Sequence, residues 1–318
     1  MLKRMLSPYA LIPLLLGASA VYADVTVHQT MEFQFKMPMP AAQTLPPMFN
    51  GPIELVSRIK GQRAYASFGS LLIITDSAAK QITLVDPKGK RYAATSLADY
   101  LASVQKTASG GAAMPEEARQ MPANIKVDIQ SKSTGRSERI MGIDAAETEI
   151  VFHMTIPIPI PGQENGLELT GKFQCWKPKP GEADRVPALG ELEAYHSRAG
   201  DMVNTGSMLS QIFGDMPGLG ENMQKLTDEL AKGGRTNLRL HGAFYMPGLA
   251  GMMAQARASG ADVPDMPGPD SPLLEMRMET TGMDTAPVPD SVFLIPADYQ
   301  QAPIADLIKM LMPAAAKL

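Results

Sequence analysis

Apolar and polar residues alternate from Val25 to Met37 (VTVHQTMEFQFKM). Val25, Val27, Met31, Phe33, Phe35 and Met37 fill one row, broken only by Gln29. Thr26, His28, Thr30, Glu32, Gln34 and Lys36 fill the other. A period of two held this long predicts a strand with one buried face. At roughly 3.3 Å per residue it would run about 40 Å, well beyond the common strand length.

The pattern continues past a Pro-rich connection at 37–52. Ile53 to Lys60, Arg63 to Phe68, Leu71 to Thr75, Lys80 to Val85 and Arg91 to Ala94 read as strands. Gly61 with Gln62 marks one turn, and DPKGK (Asp86 to Lys90) marks another, with Gly expected to take a positive φ. Such short links predict an antiparallel meander.

The period then changes. Leu97, Tyr100, Leu101 and Val104 share a helical face, and Ser96 with Asp99 forms a capping box, which predicts a helix over Leu97 to Lys106. Strands are expected at Ile125 to Lys132, Ala146 to Ile156 and Leu167 to Cys175. IPIPIP (Ile156 to Pro161) is an edge or an extended exit, because alternate residues lack an N–H.

Leu189 to about Lys232 reads as helical. Met208, Leu209, Ile212, Phe213 and Met216 form one stripe; Leu219, Met223, Leu226 and Leu230 form a second. Thr236 to Met246 is a strand, Gly248 to Ala258 a helix and Leu274 to Met278 a late strand. SVFLIP (Ser291 to Pro296) reads as a last short strand. Ile304, Leu307, Ile308 and Leu311 close the chain with an amphipathic helix.

The first residues change the picture of location. Lys3 and Arg4 precede an apolar run from Ala10 to Leu16, with small residues at Ala18, Ala20 and Ala23. Residues 1–23 therefore read as a cleaved signal peptide, and 24–318 as one domain with a Met-rich helical insertion at about 189–260. No Cys follows the apolar run, so lipidation is not expected and the chain is expected to be periplasmic or secreted. No later run suits a transmembrane helix. The net charge of −4 and the lack of a basic run argue against nucleic acid as a partner. The single cysteine, Cys175, lies in an apolar row and reads as a buried thiol.

Chemistry is sparse. The chain holds no HExxH, CxxC, GxSxG, Walker or calcium-loop motif. GLGENMQK (Gly218 to Lys225) lacks the preceding strand of a phosphate loop. No catalytic residue, metal site or cofactor is nominated, and the chain is not expected to be an enzyme. His28, His153 and His241 fall on polar strand faces, and His196 on a helix. The 23 methionines fall largely at core spacings. Soft thioethers bind Cu(I), but flexible Met side chains also suit an adaptable apolar lining.

A resemblance follows from these residues. The long first strand precedes KGQRAYASFGS, then LLIITDSAAKQITLVDPKGKRYA with its D-P-x-x-K-x-Y cadence at Leu84 to Tyr92, then a capped helix. The element Met278 to Pro303 ends in F-x-I-P-x-x-Y. Over Val25 to Leu101, Ile125 to Cys175 and the C-terminal segment, the chain resembles the LolA-like periplasmic lipoprotein-carrier superfamily and its uncharacterised domain-of-unknown-function relatives. The resemblance implies an α+β fold: a curved antiparallel sheet, an unclosed β-barrel, with helices covering its concave face. Burying the six apolar side chains of one such strand contributes roughly 10 kcal/mol before ordering entropy.

The expectation is an exported, non-enzymatic envelope protein that binds an apolar ligand, a lipid or a lipoprotein acyl chain. Its lining is expected from Val27, Met31, Phe33, Phe35, Phe152, Met154, Phe173 and Met208. The alternatives are an envelope structural or interaction protein with a self-filled core and an envelope protein partner, or a periplasmic copper handler using Met and His.

Overall fold

The computed structural model describes residues 23–36, 51–110, 126–156, 166–199, 219–260, 268 and 270–310. Its strands are β1 (Val25–Phe35), β2 (Ile53–Lys60), β3 (Arg63–Phe68), β4 (Leu71–Asp76), β5 (Gln81–Asp86) and β6 (Arg91–Ser96), then β7 (Lys126–Ile140), β8 (Ile143–Ile156), β9 (Leu167–Pro178), β10 (Arg239–Tyr245), β11 (Leu274–Asp284) and β12 (Gln300–Gln301). The helices are α1 (Leu97–Gly110), α2 (Glu182–Arg185), α3 (Pro187–Ala199), α4 (Leu219–Ala231), α5 (Pro247–Ala258) and α6 (Ile304–Lys309). No helix among the described residues is long and apolar enough to cross a membrane.

All the strands join one curved, unclosed 12-stranded sheet in the order β12-β6-β5-β4-β3-β2-β1-β11-β10-β9-β8-β7. Every neighbouring pair is antiparallel except β12 with β6. The first and last long strands therefore meet: β1 sits between β2 and β11. Two runs follow chain order, β1 to β6 and β7 to β11, and they join where β1 pairs with β11.

Short links set the register. β7 and β8 join through Met141 (φ 51°) and Gly142 (φ 78°), the two positive-φ positions of a type I′ turn, which matches strand twist. The DPKGK turn differs from expectation. Lys90, not Gly89, carries the positive φ of 49°. Gly89 serves another purpose: a Cβ there would stand 2.3 Å from Asp86 Oδ2. The bare backbone lets Gly89 N donate to Asp86 Oδ1 at 2.9 Å while Arg91 Nη2 holds Oδ2 at 2.8 Å. Burial opposes ionisation of Asp86, but these donors outweigh it and keep its carboxyl below the usual range.

The face of β1 that carries Val27, Met31 and Phe33 is the inner face. Cross-strand register extends it through Ile53, Leu55 and Ile59 of β2 and through Met276 and Met278 of β11. It continues through Leu240 and Phe244 of β10, Phe173 and Cys175 of β9, and Ile150 and Phe152 of β8. Helices pack on it in patches. Leu192, Tyr195 and Ala199 of α3 lie on Val25, Val27, Ile59 and Ala64. Tyr100 and Val104 of α1 and Leu307 and Ile308 of α6 lie on Ile82, Leu84 and Ala93. Leu226 and Leu230 of α4 join the main cluster, with α4 against β7 and β8.

Several expected elements change on folding. β1 ends at Phe35, and its apolar row stays in phase while β11 takes up an extra residue opposite His28 and Gln29. β7 runs on to Ile140, through the polar stretch SKSTGRSER. As an edge strand it exposes both faces over that stretch, so no alternation announces it. β11 likewise runs to Asp284. SVFLIP is not a strand: Asp290–Phe293 forms a 3-10 turn, with Val292 N donating to Pro289 O and Leu294 N to Ser291 O. The short run is held by Arg63, which pairs with Asp290 at 2.7 Å and lies 4.6 Å over the Phe293 ring. Ser96 caps α1 as its spacing predicts: Asp99 N donates to Ser96 Oγ at 3.1 Å, and Ser96 Oγ to Asp99 Oδ2 at 2.7 Å. The stripe of Met208, Leu209, Ile212, Phe213 and Met216 lies outside the described residues.

Candidate apolar trough

Each inner row presents an apolar side chain every second residue, so neighbouring strands in register lay these side chains side by side. Met31 faces Met278 and Phe33 faces Met276 across β1 and β11. Ile150 faces Phe173 across β8 and β9, and Phe173 faces Gly242 across β9 and β10. The result is one continuous cluster spanning β1, β2, β8, β9, β10 and β11 with α4 on it.

Three rings pack against one another within it. Phe173 and Phe244 meet edge to face with centroids 5.4 Å apart. Phe152 lies 6.1 Å from Phe173 and 6.2 Å from Phe244. Such offset and edge-on pairs add about 0.5–1.5 kcal/mol each beyond area burial. Two glycines make room for them. A Cβ on Gly171 would stand 2.0 Å from Phe152 Cε1, and one on Gly242 would stand 2.9 Å from Phe173 Cε1. Each ring thus lies over the glycine directly opposite it on the next strand.

Among the expected lining residues, Met31, Phe33, Phe152, Met154 and Phe173 are buried members of this cluster, and Phe35 packs against it partly buried. Val27 is buried elsewhere, under α3 with Leu192 and Tyr195. Met208 lies outside the described residues. Leu240, Phe244 and Met276 belong to the cluster although the first list omits them; their alternation in β10 and β11 is the signal that finds them. Gly171 and Gly242 carry no such signal, since a glycine within a strand reads equally as a bulge.

The trough is not uniformly covered. Phe35, Leu55, Phe68, Met246 and Met278 pack against the buried cluster while remaining partly exposed. Polar groups punctuate the same face. Gln29 Nε2 donates to Thr280 Oγ1 at 3.3 Å and lies 3.7 Å from Met278 Sδ. Lys177, buried at the end of β9, donates through Nζ to the carbonyls of Leu230, Lys232 (2.5 Å) and Gly234 (2.9 Å) at the end of α4. Burial lowers its pKa, and the three carbonyls supply the partners a buried ammonium needs. Cys175 is fully buried, and burial pushes its thiol up to about 12.

The histidines do not gather. His28 and His153 are exposed, His241 is partly exposed on the outer face, and His196 is half-buried on α3 with Nδ1 3.3 Å from Thr236 Oγ1. Among the described residues no group of three or more His, Cys, Asp or Glu side chains is placed to hold a metal ion.

Fold and trough together define an α+β protein built on one open, curved, mostly antiparallel sheet with an apolar inner face. A scan against protein-family models finds no match to this chain, and a search of curated proteins finds none either.

Proposed function

We propose that this chain is an exported, non-enzymatic carrier of the LolA-like kind, holding an acyl chain or similar apolar ligand in the concave side of its sheet. The observation that carries this reading is the partly exposed apolar set Phe35, Leu55, Phe68, Met246 and Met278, continuous with a buried aromatic and thioether floor. Exposed apolar surface of this kind, on the inside of an open sheet, suits a flexible hydrocarbon guest. The Met side chains among them adapt to irregular chains at little cost. The signal-like first residues supply the route to the cell envelope where such guests occur.

The test is direct. The full chain is purified from its host envelope and examined by native mass spectrometry, and its native state is titrated with N-phenylnaphthylamine. A co-purifying lipid mass or saturable dye binding supports the carrier. Absence of both sinks it.

A second reading is favoured by the ring packing itself. Phe173 and Ile150 are essentially inaccessible, and Phe152 and Phe173 fill the space above Gly171 and Gly242. On that reading the interior is filled by the protein's own side chains, and the molecule is an envelope interaction protein. It predicts no dye binding to the native chain and binding only on partial unfolding.

A further inference from the structure

Gln29 is the one polar residue in the inner row of β1. Its opposite neighbours on that face are Leu55 of β2 and Thr280 of β11. Gln29, Leu55 and Met278 are all partly exposed, so the amide sits where the trough is accessible.

A primary amide carries two N–H donors and an acceptor oxygen. Nε2 donates to Thr280 Oγ1 at 3.3 Å, and its other partner is Met278 Sδ at 3.7 Å. A thioether is a weak acceptor, so that N–H is poorly used. Thr280 Oγ1 in turn donates to Asn237 O at 3.4 Å, which fixes the hydroxyl as an acceptor toward Gln29. Gln29 therefore offers a donor, and beside it an acceptor, at the boundary between the apolar patch under α3 and the main cluster.

Charge narrows the guest. Among the described residues, the inner rows of β2, β1, β11, β10 and β9 carry one charged side chain, Lys177. Its Nζ is already engaged by three backbone carbonyls. A carboxylate head lying on these strand rows would lose its hydration with no cation of those rows free to meet it. A neutral carbonyl head would not.

Resting on the carrier reading above, we infer that the trough selects acyl chains with a neutral carbonyl head, an amide or an ester, and that Gln29 anchors that head. The tail then lies over Leu55, Met278 and Phe35.

The test is displacement of N-phenylnaphthylamine from the full chain by dodecanamide, methyl dodecanoate and dodecanoate, at a pH where the acid is ionised. The amide and the ester are expected to compete better than the acid anion. Gln29→Leu is expected to weaken the amide and ester by roughly fivefold when each is referred to the dye's own affinity for that variant, the scale of one net hydrogen bond. Gln29→Met, similar in length and without the N–H or a charge, serves if the leucine variant does not fold; it is expected to reduce the preference for neutral heads in the same way. Equal competition by all three ligands, or an unchanged preference in the folded variant, overturns the anchor while the carrier reading stands. Failure of the native chain to bind the dye overturns both.

Discussion

The ring of Phe152 occupies the space that a side chain at Gly171 would need. A Cβ at Gly171 would meet Phe152 Cε1 at 2.0 Å, and the two residues face each other across β8 and β9. The next pair repeats the arrangement, with Phe173 over Gly242. Rings that lie down on glycines give the sheet close packing without a third layer, and they leave its inner surface flat enough for helices or a guest to lie on.

Gly171→Ala should therefore destabilise the protein by about 1–3 kcal/mol, because the ring must leave its well-packed position. The effect should shrink in the Phe152→Leu background, a non-additivity that a double-mutant cycle in urea reads directly. Additive effects would mean that ring and glycine are not coupled.

Lys177 ties β9 to the end of α4. Lys177→Met would leave the carbonyls of Leu230, Lys232 and Gly234 without their buried donor, at an expected cost of about 2 kcal/mol. The loss should be local first. Hydrogen exchange at the Lys232 and Gly234 amides, which close the last turn onto Asp228 and Ala231, should accelerate before the sheet amides do.

His196 sets an acid limit. Burial, with Arg235 nearby, lowers its pKa from 6.5 to about 4, so the folded protein keeps the ring neutral where the unfolded chain protonates it. The unfolded state then binds more protons between these values, and stability is full above 6.5 and falls as pH drops toward 4. The contribution at stake is ~3 kcal/mol. His196→Gln, which can still bond Thr236, should remove this component. The difference in denaturation free energy between native protein and variant, followed over that pH range, checks it.

Cys175 should be inert while the protein is folded. Its thiol is fully buried and held at about 12, so almost no thiolate exists near neutrality. Ellman's reagent should titrate no thiol in the native protein and one in denaturant. Rapid native labelling would show that β9 opens readily.

The strand rows show what was legible. A period of two is a local property of the chain, so the inner faces of β1, β9, β10 and β11 can be read residue by residue before any partner is known. The Ser96 cap is local in the same way. The polar half of β7 is not legible, because an edge strand exposed on both faces needs no alternation. SVFLIP is misread for a related reason. Its apolar content is real, but Phe293 is buried against Arg63 of β3 rather than paired in a sheet.

The sequence by itself determined most of the element types, the apolar rows, the odd polar residue at Gln29 and the apolar setting of Cys175, since each depends on neighbours within a few positions. Only the tertiary structure decided that β1 lies between β2 and β11, that Val27 goes under α3 while Met31 and Phe33 join the trough, and that Phe152 rests on Gly171. Those outcomes depend on which strands pair and in what register. Pairing is a competition among distant segments with similar apolar faces, settled by total packing and not by any one stretch of chain.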